Sequence, residues 1–433
     1  MNWIASLALA MTNSICCAFS SLFVQPWLIT DVDLTEYPQL TIPLPFRGII
    51  FGVMLPEPSQ FEKEHSRRLQ QQILAEIEEK GPMTFARYME LALYAPELGY
   101  YRCGSQKFGE QGDFITAPEL SPLFSQCVAR QCRQMLMDLP MSDILEFGAG
   151  SGVMARVILQ TLAQLNSLPQ HYYILELSAE LQQRQRQEFQ NHAPELLPTV
   201  IWLAQWPAHF RGIILANEVL DAMPVHRFGY CQGLQEYYVV NQQGELAWRL
   251  GPLSTPQLSA QLEKLTDAFS DGYSSEINLL LPGWIAGLDV CLDQGVILLI
   301  DYGMTRHEYY HPDRGCGTLL CHYRHRAHAN PFWQPGLQDI TAQVDFTAVA
   351  MAAVAGELNV QGYTHQAAFL LNCGITDFIT GDEDPRSRIS LSRQIQRLTL
   401  PGEMGEAFKV MALTKNYEQD LLGFKTFNQL ERL

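Results

Sequence analysis

Short apolar runs alternate with amphipathic segments along the middle of the chain. The runs cover residues 144–147, 172–177, 200–203, 212–216 and 296–300. An amphipathic stretch at 153–165 separates the first two runs. Fully apolar strands that alternate with helices predict an α/β fold, with a mostly parallel sheet covered by helices on both faces. Two later runs, 358–366 and 408–414, are expected to add an antiparallel pair at one edge.

The same pattern divides the rest of the chain. Leu69, Ile73 and Ile77 recur every four residues and predict an amphipathic helix in the first part. The expected divisions are an irregular extension at 1–60, a helical region at 61–135 and a main α/β domain at 136–433, which carries an insertion at 229–290 after its fourth strand. We expect a strand at 235–240 and a helix at 257–269 inside the insertion.

The N-terminal stretch is unusual because residues 1–30 contain no charged side chain. No Lys or Arg precedes Arg47, which argues against a signal peptide. Polar residues interrupt the stretch too often for a membrane span. Our hypothesis is that residues 1–53 come from an over-long gene assignment and that Met54 is the natural start. The alternative is a weak membrane-associating segment. Mass spectrometry of the native N-terminus distinguishes the two.

Composition excludes some classes of function. The 433 residues carry 29 basic and 46 acidic side chains, a net charge of −17. Nucleic-acid binding needs clustered Lys and Arg, so this balance argues against it and fits a small-molecule site or a basic protein substrate. The 10 cysteines are scattered, which indicates a reducing compartment and leads us to expect a cytoplasmic protein.

The sharpest motif is a glycine-rich turn between the first strand and the next helix, 146-EFGAGSG-152. Glycines permit a sharp turn and close approach of a ligand, and the helix N-terminus favours an anion. A dinucleotide fingerprint would require glycine at 153, which is Val153. The order G-x-G-x-G after Glu146 is typical of S-adenosylmethionine loops, and Glu176 at the end of the second strand is placed to accept hydrogen bonds from ribose hydroxyls. The alternative is a tight turn followed by an ordinary helix-start glutamate.

The fourth strand ends in a second polar group. Ligands of such sheets bind at the carboxyl ends of the strands, so Asn217 and Glu218 are expected at the crevice, with Asp221 one turn later if a helix follows. If the acceptor is a guanidinium, Glu218 and Asp221 can clamp it through charge-assisted hydrogen bonds. The alternative is that the three residues cap the helix that begins there.

From about Phe61 to the C-terminus the sequence resembles the MidA family of methyltransferases. The resemblance rests on several long motifs in one order, which are 81-GPMTFARYMELALYAPELGYY-101, 112-GDFITAPELSPLF-124, 146-EFGAGSG-152, 216-ANEVLDAMPVHRF-228, 300-IDYG-303 and 317-GTLLCHYRHRAHANPFWQPGLQDITAQVDF-346. It implies a class I, Rossmann-like methyltransferase fold with S-adenosyl-L-methionine as cofactor. The family's mitochondrial members are complex I assembly factors that methylate an arginine of the large subunit near the quinone site, giving symmetric dimethylarginine.

The resemblance also assigns residues. The cofactor set it implies is Glu146, Gly148, Gly150, Gly152, Glu176, Thr116, Pro118 and Asn217. The argument from the tip of the fourth strand supplies the predicted catalytic set, Asn217, Glu218 and Asp221. The predicted substrate set is Asp113 and Glu119 from the matching segment, with His322 and Arg324 from the segment after the fifth strand. The segment from Gly112 to Glu119 is expected to fold over the methionine end of the cofactor. One departure from the family pattern is Ser125, where glycine is expected; we assign it a helix contact and no chemistry.

A short segment holds Cys316, Cys321, His322, His325 and His328. Its spacing differs from that of zinc sites, so we predict no metal there. Because it follows the fifth strand, it is expected to line the acceptor channel. The helix at 179–189 is rich in Gln and Arg and is interpreted as a solvated face. Trp202 and Trp206 are candidates for stacking on adenine, although core packing is the favoured role.

The leading interpretation is a protein-arginine methyltransferase whose partner is an arginine-bearing protein, with a complex I subunit as candidate by analogy. A non-catalytic assembly chaperone, a small-molecule methyltransferase and a nicotinamide oxidoreductase are the alternatives. Val153 disfavours the last. We expect no nucleic-acid partner and no stable membrane insertion. The sequence leaves the oligomeric state open, and a homodimer is one option.

Overall fold

The computed structural model describes residues 55–102, 116–379 and 384–433. The predicted N-terminal extension up to 53 and the proposed start at Met54 lie outside the described residues. So does Asp113, one of the predicted substrate-binding residues.

The helices are numbered in chain order. They are α1 (Gln60–Lys80), α2 (Phe85–Tyr94), α3 (Ala117–Leu120), α4 (Pro122–Asp138), α5 (Val153–Gln164), α6 (Ala179–His192), α7 (Pro256–Leu262), α8 (Leu281–Cys291), α9 (Arg306–Tyr309), α10 (Phe346–Val354), α11 (Gln366–Asn372), α12 (Pro385–Thr399) and α13 (Met404–Ala407). Short 3-10 helices cover Pro194–Thr199, Glu263–Ala268, Pro312–Arg314, Ile375–Phe378, Leu422–Phe424 and Leu430–Arg432.

The strands are also numbered in chain order. They are β1 (Met83–Thr84), β2 (Asp143–Phe147), β3 (Tyr172–Leu175), β4 (Val200–Leu203), β5 (Phe210–Asn217), β6 (His226–Tyr230), β7 (Leu234–Gln242), β8 (Glu245–Gly251), β9 (Tyr273–Ile277), β10 (Leu292–Met304), β11 (Leu320–Tyr323), β12 (Arg326–His328), β13 (Asp339–Thr341), β14 (Val344–Asp345), β15 (Asn359–His365) and β16 (Phe408–Lys415).

The main sheet has the order β15-β16-β10-β5-β2-β3-β4, with β14 beside the end of β10. The pairings from β10 to β4 are parallel, and β16 is antiparallel to both β10 and β15. The five apolar runs and the antiparallel pair at one edge are therefore confirmed. The mostly parallel α/β sheet of a Rossmann-like fold is confirmed with them.

Helices cover both faces of this sheet because its strands are apolar on both sides. Along β5, Ile213 packs into the core beneath α4 and α5, whereas Ile214 packs into the core beneath α8 and α10. Successive side chains of a strand point to opposite faces, so a strand buried on both faces is a continuous apolar run. This is why the runs were visible in the sequence.

The insertion builds a second, antiparallel sheet of order β1-β7-β6-β9, with β8 beside β7. Its predicted strand is β7, and the predicted helix is α7 followed by a 3-10 turn. The two-residue strand β1 comes from the N-terminal region, where Met83 pairs with Val239. Helix α1 is held by a capping box between Ser59 and Glu62 and buries its predicted aliphatic stripe. A third sheet has the order β12-β11-β13.

The segment after β5 differs from the prediction. The sequence analysis places Asp221 one turn later if a helix follows, and its alternative makes the three polar residues the caps of such a helix. The chain turns without forming a helix and enters β6 at His226, so the capping alternative is wrong. Glu218 adopts a left-handed backbone conformation with φ of 53°.

A helix that crosses a bilayer must be both long and apolar. Among the residues that the structure describes, no helix is both long and apolar enough to cross a bilayer.

Candidate active site

A cavity lies at the carboxyl ends of β2, β3 and β5, where doubly wound sheets bind ligands. It is lined by Tyr94, Tyr101, Arg102, Thr116, Pro118, Glu119, Glu146, Gly148, Ala149, Gly150, Ser151, Met154, Leu175, Glu176, Leu177, Ser178, Leu181, Asn217, Glu218, Val219 and Ala222. The predicted residues that it does not bring to its wall are Gly152, Asp221, His322 and Arg324. The rest of the described set converges there from four separate parts of the chain.

The glycine turn adopts a backbone conformation that other residues rarely tolerate. Gly148, Gly150 and Gly152 have φ of 64°, 52° and 86°, all in the left-handed region. Gly148 and Gly150 line the cavity, and α5 begins directly after the turn. The turn therefore presents backbone atoms and a helix N-terminus to a ligand.

Gly152 has a different role from its two neighbours. A Cβ atom at this position would lie 3.2 Å from both Cα and Cγ of Gln185 on α6. The third glycine thus allows α5 and α6 to approach each other and does not touch the ligand space.

Replacing Gly152 with alanine is therefore expected to destabilise the fold. The substitution adds left-handed strain and forces α6 to shift, so unfolding should become easier by about 1–2 kcal/mol, a loss of roughly 2–6 °C in Tm. Gly402→Ala is the matched control, because a Cβ atom there would meet no other atom within 4 Å and the φ of Gly402 is not positive. Thermal unfolding of the two variants measures the difference, and equal Tm values would contradict this role.

Glu176 follows β3 and faces the cavity. One carboxylate oxygen accepts a hydrogen bond from the Ser178 N–H at 2.8 Å, and the other lies 3.4 Å from the Gln185 amide. Only 8% of the residue is exposed. These contacts hold the carboxylate in the wall of the cavity.

Gln185 contacts two lining residues of the cavity from behind, and the sequence analysis gives it no role. Helix α6 was interpreted as a solvated face, yet Gln185 is fully buried. Its amide donates to the Gly150 carbonyl at 3.0 Å and accepts from the Trp202 indole at 2.8 Å. The signal was present, since Leu181, Gln185 and Phe189 recur every four residues and are the buried stripe of the helix.

Glu146 lies under the turn at the end of β2. It accepts a hydrogen bond from the Tyr172 hydroxyl at 2.9 Å and is 2% exposed. Burial raises the pKa of the Glu146 carboxyl to about 8. It lines the cavity floor.

The tip of β5 supplies an amide and a carboxyl group to the cavity. The Asn217 amide donates to Glu218 Oε1 at 3.1 Å. The Asn217 Oδ1 atom is buried and has no partner among the described residues, so it can accept an N–H from a ligand. Burial, together with the charges of Asp301 and Asp339, raises the pKa of Glu218 to about 8.

Asp301, on β10, holds the turn that follows β5. Its Oδ2 accepts from the backbone N–H groups of Val219, Leu220 and Asp221 at 3.1, 2.8 and 3.3 Å. One distant carboxylate thus takes the role that a helix cap would have had. Burial raises the pKa of Asp301 to about 7. This turn holds Glu218 in place.

Asp221 lies behind the cavity wall. It is 6% exposed, and its carbonyl accepts from the Ala342 N–H at 3.0 Å. Burial raises its pKa well above the ordinary value, and the charges of Asp301, Asp339 and Glu218 add to this effect. Its carboxyl group belongs to the acidic cluster around Glu218 without reaching the ligand space.

Helix α3 covers the cavity from the other side. Thr116 and Pro118 line the wall, and Glu119 accepts a hydrogen bond from the Ser151 hydroxyl of the glycine turn. This contact ties residues 116–119, the described end of the predicted covering segment, to the glycine turn. Residues 112–115 of that segment lie outside the described residues.

The histidine-rich segment lies away from the cavity. His322 is on β11, in register with Asp339, and burial, with His328 nearby, lowers its pKa to about 4. Arg324, in the following turn, forms an ion pair with Glu62 at 2.8 Å. Within the described ranges, no group of three or more His, Cys, Asp or Glu side chains is arranged to hold a metal ion.

Trp202, on β4, and Trp206, after it, also lie outside the cavity lining. The Trp202 ring packs under the Arg186 guanidinium, 3.9 Å from the ring centroid. Trp206 contacts Phe147 and Trp284 edge to face. Both therefore pack against the protein, which was the favoured interpretation.

The fold and the cavity together define a class I methyltransferase. The G-x-G-x-G turn after β2 has three left-handed glycines and leads into α5. In the cavity that this turn lines, Glu176 follows β3, and Asn217 and Glu218 lie at the end of β5. The chain belongs to the family described as S-adenosyl-L-methionine-dependent methyltransferases, whose profile matches residues 127–364. S-Adenosyl-L-methionine is thus its cofactor.

Individual relatives agree with this assignment. A Burkholderia thailandensis protein crystallised with S-adenosyl-homocysteine is 40% identical and superposes with a TM-score of 0.84, covering 88% of this chain and 100% of that one. "Protein arginine methyltransferase NDUFAF7 homolog, mitochondrial" from Drosophila melanogaster is 26% identical, over 83% of this chain and 87% of its own. "Protein arginine methyltransferase NDUFAF7, mitochondrial" from Homo sapiens is also 26% identical, over 79% of this chain and 82% of its own.

Proposed function

We propose that this protein transfers a methyl group from S-adenosyl-L-methionine to an arginine guanidinium of a protein. The observation that carries the proposal is the Asn217–Glu218 pair, which places a carboxyl group and a buried amide oxygen without a described partner in the cofactor cavity. Both groups accept hydrogen bonds from N–H donors, and a guanidinium presents five of them. The names of the fly and human relatives, which are arginine methyltransferases, support this acceptor.

The residues of the cavity fit the cofactor. Gly148 and Gly150 leave room for it beside the backbone, and the start of α5 offers N–H groups for a carboxylate. We assign Glu176 to the ribose hydroxyls, with Gln185 holding it from behind. We assign Thr116 and Pro118 to the covering wall. When bound, the cofactor supplies an electrophilic methyl group on its sulfonium.

Glu218 is the proposed contact to the acceptor. The charged side chains that act on it, Asp221, Asp301 and Asp339, are all acidic, so a cation is the favoured ligand at this end of the cavity. An ionised Glu218 can hold a guanidinium by charge-assisted hydrogen bonds and orient one nitrogen toward the methyl group. It is also placed to accept the proton that this nitrogen releases after the new C–N bond forms. When ionised, Asp221 adds to the negative potential from behind.

The raised pKa of Glu218 predicts a pH dependence. The carboxyl group binds a cation only when it is ionised, so kcat/KM should rise with pH from about 7 to about 9 as Glu218 loses its proton. A bound guanidinium favours the ionised form, so the rise in kcat should lie at lower pH. Initial rates of methyl transfer measured against pH give the rise in kcat/KM and the rise in kcat. A flat profile in the wild type, or the same limb in Glu218→Gln, would contradict the assignment.

The finer features rest on the resemblance to the MidA family. Symmetric dimethylation and a large complex I subunit as acceptor are what that resemblance implies, and we include both in the proposal. A cytoplasmic location agrees with the seven described cysteines, all of which are free.

Comparison of arginine methylation in wild-type and deletion cells by mass spectrometry tests the proposal and identifies the acceptor. We expect one or a few peptides to lose symmetric dimethylarginine in the deletion strain and regain it on complementation. Loss of a methylated small molecule with unchanged protein arginine methylation would indicate a small-molecule methyltransferase. Defective assembly of the partner protein with unchanged arginine methylation would indicate a non-catalytic assembly chaperone.

A further inference from the structure

Two tyrosines form one wall of the cavity that holds Glu218. Tyr94 and Tyr101 both line it, and their rings stack with centroids 5.5 Å apart and an angle of 21° between the planes. The two residues are the last residue of α2 and a residue in the turn that follows it. The sequence interpretation gave neither of them a role.

Each hydroxyl is anchored at a different place. The Tyr94 hydroxyl donates to the carbonyl of Ala222, in the turn after β5, at 2.9 Å. The Tyr101 hydroxyl donates to Oδ1 of Asp339 at 2.9 Å. The aromatic wall is thus tied at one end to the turn that carries Glu218 and at the other end to β13.

Asp339 is almost fully buried and lies outside the cavity lining. It is 2% exposed and pairs in register with His322 in the three-stranded sheet. Its Oδ1 also accepts from the Ile340 N–H at 3.0 Å. Its charge acts on Glu218, Asp221 and both tyrosines. A residue 238 positions away from Tyr101 thereby reaches the site through one hydrogen bond.

We propose that Asp339 is a positioning residue for methyl transfer. Through its hydrogen bond with the Tyr101 hydroxyl it fixes the wall formed by Tyr94 and Tyr101. The planar cation of the acceptor lies against this wall, beside Glu218. A guanidinium stacks on aromatic faces and is attracted by their π-electrons, so a fixed ring next to a carboxylate suits it. Small displacements of such a wall are costly, because a shift of about 1 Å in the reacting groups can reduce a rate about a hundredfold. The inference rests on the proposed function, since it assumes a cationic acceptor.

The test uses the purified full-length protein and methyl-labelled S-adenosyl-L-methionine, with protein extract from deletion cells as acceptor. Tyr101→Phe keeps the ring and removes the hydroxyl, and Asp339→Asn keeps an acceptor oxygen and removes the charge. Each variant is expected to transfer label to arginine about tenfold more slowly while binding S-adenosyl-homocysteine within about twofold of the wild type. Glu195→Gln, an exposed carboxylate substitution, is the control and should leave the rate unchanged.

Two further readouts separate positioning from a purely structural role. When Asp339→Asn is added to Tyr101→Phe, the rate of methyl transfer should fall little further, because the two residues act through one hydrogen bond. The carboxyl groups that face Glu218 are Asp221, Asp301 and Asp339, and loss of one charge should move the rising limb of the Asp339→Asn pH profile to lower pH.

Several outcomes would overturn the inference. Wild-type rates in both single variants would do so, as would additive effects in the double variant. A loss of cofactor binding in parallel with the rate would show a structural role only. If Asp339→Asn does not fold, Tyr101→Phe decides alone by its rate and its cofactor affinity. Label that the wild type places on acceptors other than arginine would instead refute the proposed function.

Discussion

Glutamine in place of Glu218 is expected to reduce methyl transfer by at least about a hundredfold, in the range found when an acid–base or charge-binding group is removed. The amide keeps the size of the side chain and can still accept from Asn217. It carries no charge, however, and its NH₂ group would face the N–H donors of the acceptor.

Binding of S-adenosyl-homocysteine to Glu218→Gln should stay within a few-fold of the wild type, which separates loss of acceptor contact from loss of cofactor. Glu195→Gln, on the protein surface, provides the matched control for the change from Glu to Gln. The measurements are the initial rate of label transfer and calorimetric titration with S-adenosyl-homocysteine. A Glu218→Gln protein that binds the cofactor and methylates at the full rate would eliminate Glu218 as the acceptor carboxylate.

Removal of the Glu176 side chain is expected to give the largest loss of cofactor affinity. Two hydrogen bonds to a charged acceptor are worth about 1.5–3 kcal/mol each, and part of this is recovered by water, so Glu176→Ala should weaken binding roughly 10–100-fold. At saturating cofactor the rate should change little, since this contact is made equally in the ground state and the transition state.

The control for Glu176→Ala is Glu180→Ala, on the first turn of α6, where the carboxylate pairs with Arg184 outside the cavity. Because Glu176 also accepts from the Ser178 N–H, thermal unfolding must accompany the titration. Equal affinities of Glu176→Ala and Glu180→Ala for S-adenosyl-homocysteine would show that the ribose assignment is wrong.

Local features of the sequence were sufficient to predict the parallel sheet and the glycine turn. Each strand of the sheet core is a short apolar run, because both of its faces are buried. The glycine turn lies between a strand and a helix that are adjacent in the chain. Glu176 and Asn217 follow directly from the ends of their strands. Features of this kind depend on neighbours in sequence, and a pattern can reveal them.

The errors occurred where distant residues decide the local structure. The turn after β5 is held by Asp301, which lies 80 positions away from Asp221 and accepts its backbone N–H. The Tyr101–Asp339 contact joins the first helical region to β13. Gln185 was the exception, since its position in the buried stripe of α6 was readable. Long-range polar contacts have no periodicity, so a single sequence does not show them.

The most direct test of the central claim is transfer of label from methyl-labelled S-adenosyl-L-methionine by the purified protein into protein extract from deletion cells, followed by hydrolysis and identification of the labelled amino acid. We predict labelled methylarginine with the wild type and at least about a hundredfold less with Glu218→Gln. Absence of label from arginine with the wild type, or equal labelling by both proteins, would contradict the account.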